Sequence, residues 1–575
     1  MSLLKTTLKQ KTLFLLLIIM AIAIFFRFFD LTAVPPGLYP DAAINGNDAL
    51  TALETNNFKL FYPENNGREG LFINLIAFSF WLFGPSIWAI KIVSAIFGLL
   101  TVLGLYLLTR QLFTRLHPKT ANNIALLSTF FLAISFWHVN FSRLGFRAIM
   151  VPFFLVWSFY FLFKLIYHLE NSLHVSHVKV LFFSLLGGFL FGLGFHTYIA
   201  FRIAPLILIP ISLFAIINYW RAFKIYREHK LTVKESFVQS YLRDGWFGWD
   251  LFFAAVVLAA LPMILYFWQH PVDFVGRTGQ VSVMSSVQPI KEFAISAAKT
   301  VGQFVAVGDY NARHNQPGSP QIFWPLIPSF ILGLGYSIGQ VFKTANWRQK
   351  DFNSLQAHFT LLFWWGAMLA PSILTTEGLP HSLRSIGAIP PSYIFVGLGS
   401  YFIIKFFQTI VRKQILLKIL SVFLFLGLTS LIFMEFWRYF IAWGQNPETR
   451  SAFTQIYVDQ ANYLNSLPSE AKKYVFVNEG GVPVPYPNGL PMPTQTLIFL
   501  TNRKSDIKYL IPDNCESCQI GQEEATANLL NIEKEEKIVF LPLRYDENLF
   551  NEFKKYYPAG QIEKINNFSV FKINF

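Results

Sequence analysis

The sequence predicts a polytopic α-helical membrane protein of about eleven spans, followed by a small C-terminal α/β domain. Three observations predict it. Apolar stretches near the roughly 20 residues needed to cross a bilayer recur from the N-terminus to about residue 434. Only 14% of the 575 residues are charged and 53% are hydrophobic, whereas a soluble chain carries about a quarter charged residues. The charge balance then reverses. Residues 1–434 hold 33 Lys and Arg against 16 Asp and Glu, and residues 435–575 hold 14 against 17. The expected domains are therefore 1–434, in the membrane, and 435–575, outside it.

A net charge of +14 would suit nucleic acid, but that needs a continuous basic face, and the apolar runs break this one up. In a membrane protein, basic excess gathers in cytoplasmic loops. Lys5, Lys9 and Lys11 precede the apolar run Leu13–Phe29, and the residues Phe25-Phe26-Arg27-Phe28-Phe29 are unsuited to signal cleavage. An uncleaved first span with a cytoplasmic N-terminus follows. The remaining spans fall near 86–109, 122–139, 146–167, 179–197, 199–219, 250–268, 321–341, 358–375, 386–408 and 415–434. The apolar segment Leu71–Phe83 is too short to cross comfortably and reads as a helix lying on the interface. Counted as a span, it would invert every later loop and expel the basic clusters. Residues 30–85, 140–146, about 269–320, 376–385 and the tail from 435 then face the non-cytoplasmic side.

In the tail, Tyr474–Val477, Thr496–Leu500 and Lys537–Leu541 read as strands, and 450–466 and 546–556 as helices. Asn446-Pro447 marks the hinge into it. The two cysteines, Cys515 and Cys518, exclude a disulfide framework. One such pair supplies too few ligands for a zinc site, and a local disulfide and two free thiols stay open.

Chemistry concentrates in the non-cytoplasmic loops. The first runs Pro35-Pro36-Gly37-Leu38-Tyr39-Pro40-Asp41 and continues to Asp48. Its prolines hold an extended stretch, and Asp41 stands where a helix N-cap belongs. Capping competes there with a catalytic role. Glu64 and Glu69 are further carboxylates of this loop. Arg143 and Arg147 close the segment Phe141–Arg147, and Arg313-His314 and His381 to Arg384 lie in two later loops. Arginine forks suit phosphate oxygens, and several on one face beside Asp41 favour an anionic lipid headgroup over simple snorkelling. His196 reads as a packing residue, and Gly187, Gly188, Gly192 and Gly194 as sites of close helix approach. No P-loop, dinucleotide fingerprint or zinc-protease motif is present, which removes ATP-driven transport and the commonest soluble chemistries.

The order of these motifs resembles the GT-C superfamily of membrane glycosyltransferases, and within it the family 39 protein O-mannosyltransferase and aminoarabinose-transferase branch. The likeness covers roughly residues 12–435. It rests on Pro35–Asp41 after the first span, Arg68-Glu69-Gly70 to Phe83-Gly84, Ser142-Arg143, Arg313-His314-Asn315 and Pro380-His381-Ser382-Leu383-Arg384. The resemblance implies a bundle of spans with interfacial helices in the first non-cytoplasmic loop. It implies inverting transfer of a sugar from a polyprenyl-phosphate donor to a lipid, glycan or protein acceptor on the non-cytoplasmic face, as in a cell-envelope enzyme of the plasma membrane. Asp41 would be the catalytic residue, and Asp48, Glu69, Arg143, Arg147, Arg313, His314, His381 and Arg384 would bind substrate. No cofactor is implied with certainty, no residue is assigned to a metal, and a divalent metal requirement stays open. Ala42 stands where the family often has glutamate, and Arg68-Glu69-Gly70 replaces a His-Pro-Pro stretch. Both departures weigh against a protein Ser/Thr acceptor more than against the donor class. Two other classes compete with the transferase. A lipid-linked saccharide flippase or other transporter would place ionisable groups in mid-span, and a non-catalytic scaffold would tolerate loss of Asp41.

Overall fold

The computed structural model describes residues 2–575 except 115, 172–174, 229–234, 275–282, 284–285, 344–348, 412, 483, 485–488, 503–505 and 512–536. Cys515 and Cys518 lie outside the described residues. Among those described, nine helices are long and apolar enough to cross a membrane: Gln10–Phe28, Ile87–Leu112, Arg147–Glu170, His177–His196, Ile199–Arg221, Gly245–Gln269, Trp324–Lys343, Ile386–Ile410 and Gln414–Trp443. A bent pair, Pro118–Ile134 with Phe136–Arg143, makes a tenth. The chain is an integral membrane protein.

Two expected spans differ in detail. The run 122–139 is broken at Ser135, where the two helices meet at 55°. The expected span 358–375 falls on the helix Gln349–Ala367 and the short Ala370–Ile373. It is less apolar than the others, starting Gln349-Lys350-Asp351 and carrying Gln356, His358 and Thr360, all three buried. Nδ1 of His358 lies 3.1 Å from Oγ of Ser337. Leu71–Phe83 is a helix of 13 residues with Phe78, Trp81 and Phe83 exposed, too short to span.

The chain packs as two compact units, Met1–Leu31 with Lys91–Trp443, and Thr32–Ile90 with Gly444–Phe575. In the first unit, helices approach closely at glycines. A Cβ on Gly188 would lie 2.1 Å from the carbonyl oxygen of Phe252, and one on Gly192 2.5 Å from that of Val256. The helix His177–Leu193 therefore meets Glu235–Gln269 backbone to backbone, the use expected of small residues in a bilayer.

The second unit joins the segment 32–90 to the C-terminal tail. Residues 32–90 contain a two-stranded antiparallel ribbon, β1 (Phe61–Tyr62) and β2 (Arg68–Glu69). The tail is a five-stranded sheet of β3 (Lys472–Phe476), β4 (Ile507–Leu510), β5 (Ile538–Pro542), β6 (Gln561–Ile565) and β7 (Phe568–Ile573). Their spatial order is β4-β3-β5-β7-β6, with β4, β3 and β5 parallel and β5, β7 and β6 antiparallel. Alternate residues serve opposite faces. Val475, Val539, Leu541 and Val570 pack with Tyr457 and Leu497, while Tyr474, Phe476, Phe540 and Phe571 pack with Phe550 and Phe553.

Thr496–Leu500 is not a strand but part of the helix Gln495–Leu500, entered through the turn Met492–Thr494. Thr496, Leu497, Ile498 and Phe499 are all buried, so the run lacks the alternation a half-buried strand shows. At the hinge, Oδ1 of Asn446 accepts the Glu448 N–H at 2.8 Å and caps the helix Pro447–Ala452.

The glycine packing gives a direct test. Gly188→Val must push two backbones apart and should cost about 1–3 kcal/mol, read as a lowered unfolding temperature in detergent. Gly427→Val, with no atom within 4 Å of its new Cβ, should leave that temperature unchanged.

Candidate active site

Asp41 belongs to the second unit and is the second residue of the helix Pro40–Thr55. Pro40 takes the first helical position, where its missing N–H costs nothing, so the N-cap is Tyr39. Asp41 is therefore not the cap expected from the sequence. Its Oδ1 accepts from Nδ2 of Asn65 at 2.7 Å, and the residue is half-buried.

The tail holds this helix. Gly37 has φ +78°, and a Cβ there would meet the Phe453 carbonyl oxygen at 2.3 Å, so only glycine fits. Oγ1 of Thr496 donates to the Leu38 carbonyl at 2.9 Å. Nδ2 of Asn47 donates to the backbone and side-chain oxygens of Gln495 at 3.1 and 3.0 Å. Gly46 packs against Phe499.

Asp48 and Glu69 are buried in the same unit. Oδ2 of Asp48 is 2.6 Å from Nη2 of Arg68. Nη1 of Arg68 donates to Oδ1 of Asn45 at 2.9 Å, and its Nε to the Glu64 carbonyl at 3.2 Å. Burial pushes the Asp48 carboxyl above its ordinary range, and the Arg68 charge pulls it back. Asp48 thus serves to pin the β1–β2 ribbon to its helix.

The arginine and histidine candidates belong to the first unit. Arg143 ends the helix Phe136–Arg143 and is fully buried. It donates to the carbonyls of Phe26 at 3.0 Å and Asp30 at 2.8 Å, and its guanidinium lies 5.0 Å from the Phe440 ring centroid. Arg147 is half-buried, 5.5 Å from the Tyr198 ring. Arg27 was not among the expected site residues. It donates to the carbonyls of Ala133 at 2.9 Å and Leu132 at 3.4 Å, and its Nη2 lies 2.7 Å from Nδ1 of His138. A basic residue inside an apolar run was the available signal.

The structure brings His314 and His381 together. Their ring centroids are 4.9 Å apart. Asp309, not among the expected site residues, organises the cluster. Its Oδ2 lies 3.1 Å from Nδ1 of His314 and accepts both the N–H and the Oγ of Ser382 at 2.9 Å. Its Oδ1 accepts the Asn311 N–H at 2.8 Å. Burial alone would raise the Asp309 carboxyl, but the hydrogen bond and charge of His314 bring it below its ordinary value. Burial lowers the His314 imidazole, against the pull of Asp309. Both shifts favour a carboxylate beside a neutral imidazole at neutral pH.

The loops carrying these residues are anchored. Nδ2 of Asn140 donates to the Arg313 carbonyl at 2.8 Å, and Nε1 of Trp443, in the π-helical turn Trp437–Trp443, to that of Ala312 at 2.8 Å. Arg313 is half-buried, with Nε 3.3 Å from Oδ1 of Asn311. Nη1 of Arg384 donates to Oγ1 of Thr375 at 2.7 Å and to the Glu377 carbonyl at 2.9 Å. Beside the Gln316–Pro320 end of the loop lies a cavity of about 460 Å³. Phe323, Trp324, Phe433 and Trp437 wall it, with Gln316, Ser319 and Arg438 as its polar residues.

Comparison with known proteins gives this arrangement a context. Residues 71–233 match the family model of dolichyl-phosphate-mannose-protein mannosyltransferases. The crystal structure of ArnT from Cupriavidus metallidurans bound to undecaprenyl phosphate superimposes with a TM-score of 0.56 at 11% identity, over 97% of both chains. The fold is that of ArnT. Apo ArnT gives a TM-score of 0.51 at 10% identity, over 99% of this chain and 98% of that one. The oligosaccharyltransferase AglB from Archaeoglobus fulgidus, in complex with an inhibitory peptide and a dolichol-phosphate, gives 0.49 at 15% identity, over 93% of this chain and 69% of that one. No curated protein matches by sequence.

The Arg68 network yields a second test. Arg68→Met leaves Asp48 buried without its partner and should destabilise the chain by about 3–5 kcal/mol. The Arg68→Met/Asp48→Leu pair should recover most of that loss in thermal unfolding.

Proposed function

We propose that the chain is an inverting glycosyltransferase that moves a sugar from a polyprenyl-phosphate donor to an acceptor on the non-cytoplasmic face of the plasma membrane. The observation that carries this reading is Asp41 itself, a half-buried carboxylate relieved of capping, at the start of a helix that the tail holds at Asn47 and just before it at Leu38. Catalytic carboxylates need this kind of fixed mounting. The match of residues 71–233 to dolichyl-phosphate-mannose-dependent enzymes supports the donor class, as does the undecaprenyl phosphate bound by ArnT.

In the proposed reaction an acceptor hydroxyl attacks the anomeric carbon on the face opposite the phosphate. The new C–O bond forms as the bond to the phosphate oxygen breaks, and the polyprenyl phosphate leaves with the electron pair. The Asp41 carboxylate takes the hydroxyl proton. Arg147, Arg313 and Arg384, all half-buried, stabilise the charge that develops on the phosphate, with His314 and His381 beside them. Arg143 holds the backbone of Phe26 and Asp30, and Asp48 and Glu69 support the first loop from within. The apolar walls of the 460 Å³ cavity suit part of an isoprenoid chain.

Reconstitution in proteoliposomes with a panel of polyprenyl-phosphate sugars tests this. Asp41→Asn should keep expression and thermal stability and lose at least about 100-fold in transfer. Arg384→Ala should raise the KM for the donor. Full transfer by Asp41→Asn overturns the assignment.

A further inference from the structure

The geometry points to a transition-metal site on Asp309, His314 and His381, holding a zinc-class divalent ion that ties the loop 308–318 to the loop 375–385. One ligand atom from each of the three residues lies within 4.8 Å of the others. Oδ2 of Asp309 and Nδ1 of His314 are 3.1 Å apart. Two ligands bound about 2.0–2.1 Å from one tetrahedral ion are separated by about 3.3 Å, so this pair already has the required bite. His381 faces His314 ring to ring at 4.9 Å and supplies the third ligand atom of the group.

The donor set chooses the ion. Two imidazoles and one carboxylate suit zinc, cobalt, nickel or iron(II), whereas magnesium and calcium prefer oxygen alone. The surroundings match what metal ligands require. The Asp309 carboxylate is fixed from behind by the Ser382 N–H, the Ser382 hydroxyl and the Asn311 N–H, the outer hydrogen bonds that orient a ligating carboxylate. The loop is shaped independently of any ion. The Gly318 N–H donates to the Asp309 carbonyl at 3.1 Å, and Nδ2 of Asn315 to the Ser319 carbonyl at 2.6 Å. Three protein ligands leave one tetrahedral position for water or for an oxyanion such as a phosphate oxygen. The inference stands on side-chain geometry and needs no assumption about the sugar donor.

The competing explanation of the 3.1 Å contact is a plain Asp–His hydrogen bond, and metal loading separates the two. The full chain, without an affinity histidine tag, is stripped with chelator in detergent, loaded with Co²⁺, desalted, then titrated with Zn²⁺. One tightly held equivalent by mass spectrometric metal analysis is expected, with visible ligand-field bands that Zn²⁺ abolishes. His314→Gln and His381→Gln should each lower retained metal roughly tenfold or more, and His270→Gln, at an exposed residue, should leave it unchanged. A wild-type chain that retains no metal overturns the site, whatever the variants do. Equal retention by wild type, His314→Gln and His381→Gln overturns it too. Sugar transfer measured on the same samples keeps the two readings apart. Transfer without bound metal removes the site and leaves the transferase, and bound metal without transfer does the reverse.

Discussion

Inside a bilayer every backbone carbonyl must find a donor, and the break at Ser135 sets what the first unit has to supply. Ending the helix Pro118–Ile134 there leaves its last carbonyls without helical partners. Arg27, from the first span, reaches those of Leu132 and Ala133. Oγ of Ser135 accepts the His138 N–H at 3.3 Å and starts the next helix. Nδ1 of His138 lies against the same guanidinium. The bend thereby turns Phe136–Arg143 so that Asn140 can hold the Arg313 carbonyl and Arg143 the carbonyls of Phe26 and Asp30. A buried arginine is costly on an isolated helix. Here it replaces hydrogen bonds that the break removed, and the loop 308–318 is anchored as a consequence.

The second unit solves a different problem, that of holding a loop still. The helix Pro40–Thr55 packs on its own segment and is fixed further by the tail. Thr496, Gln495 and Phe499 sit on a single short helix and engage Leu38, Asn47 and Gly46. Ile44 packs with Val484 and Met492. The sheet of the tail, with an apolar cluster on each face, gives that short helix a rigid base. The tail thereby has a physical task, since its short helix holds the segment that carries Asp41.

Much of this was legible in sequence. The repeated apolar runs gave the spans because hydrocarbon leaves a chain few other options. Gly188 and Gly192 announced close helix contact, and the structure has it. What escaped was local and had specific causes. Ser135 breaks a run with no proline or glycine to mark it, and only its hydroxyl, acting as a cap, tells. Asp41 was read as an N-cap although Pro40, at the first helical position, fixes Tyr39 in that role. Thr496–Leu500 looked like a strand by residue type, and the all-round burial that makes it helical comes from tertiary contacts no short window contains. Asp309 was hidden for a related reason. In the sequence it is one turn residue among several, and its meaning depends on Ser382 and His381, more than seventy residues away.

The cations can finally be sorted by what they touch. Arg27 and Arg143 are wholly buried and donate to carbonyls of the chain itself, so they complete the backbone. Arg68 pairs with Asp48, and Arg438 with Glu435 at 3.4 Å, so each neutralises a buried carboxylate. Arg147, Arg313 and Arg384 differ: they are half-buried, at span ends or in loops. Arg384 has a solvent-facing carboxylate partner, Glu377 at 3.5 Å. An exposed pair of that kind is worth little and gives way readily to a stronger anion. A transporter would invert this pattern, keeping its exchangeable charges in mid-span. In the reaction proposed above, Arg384 would exchange Glu377 for the phosphate of the lipid donor.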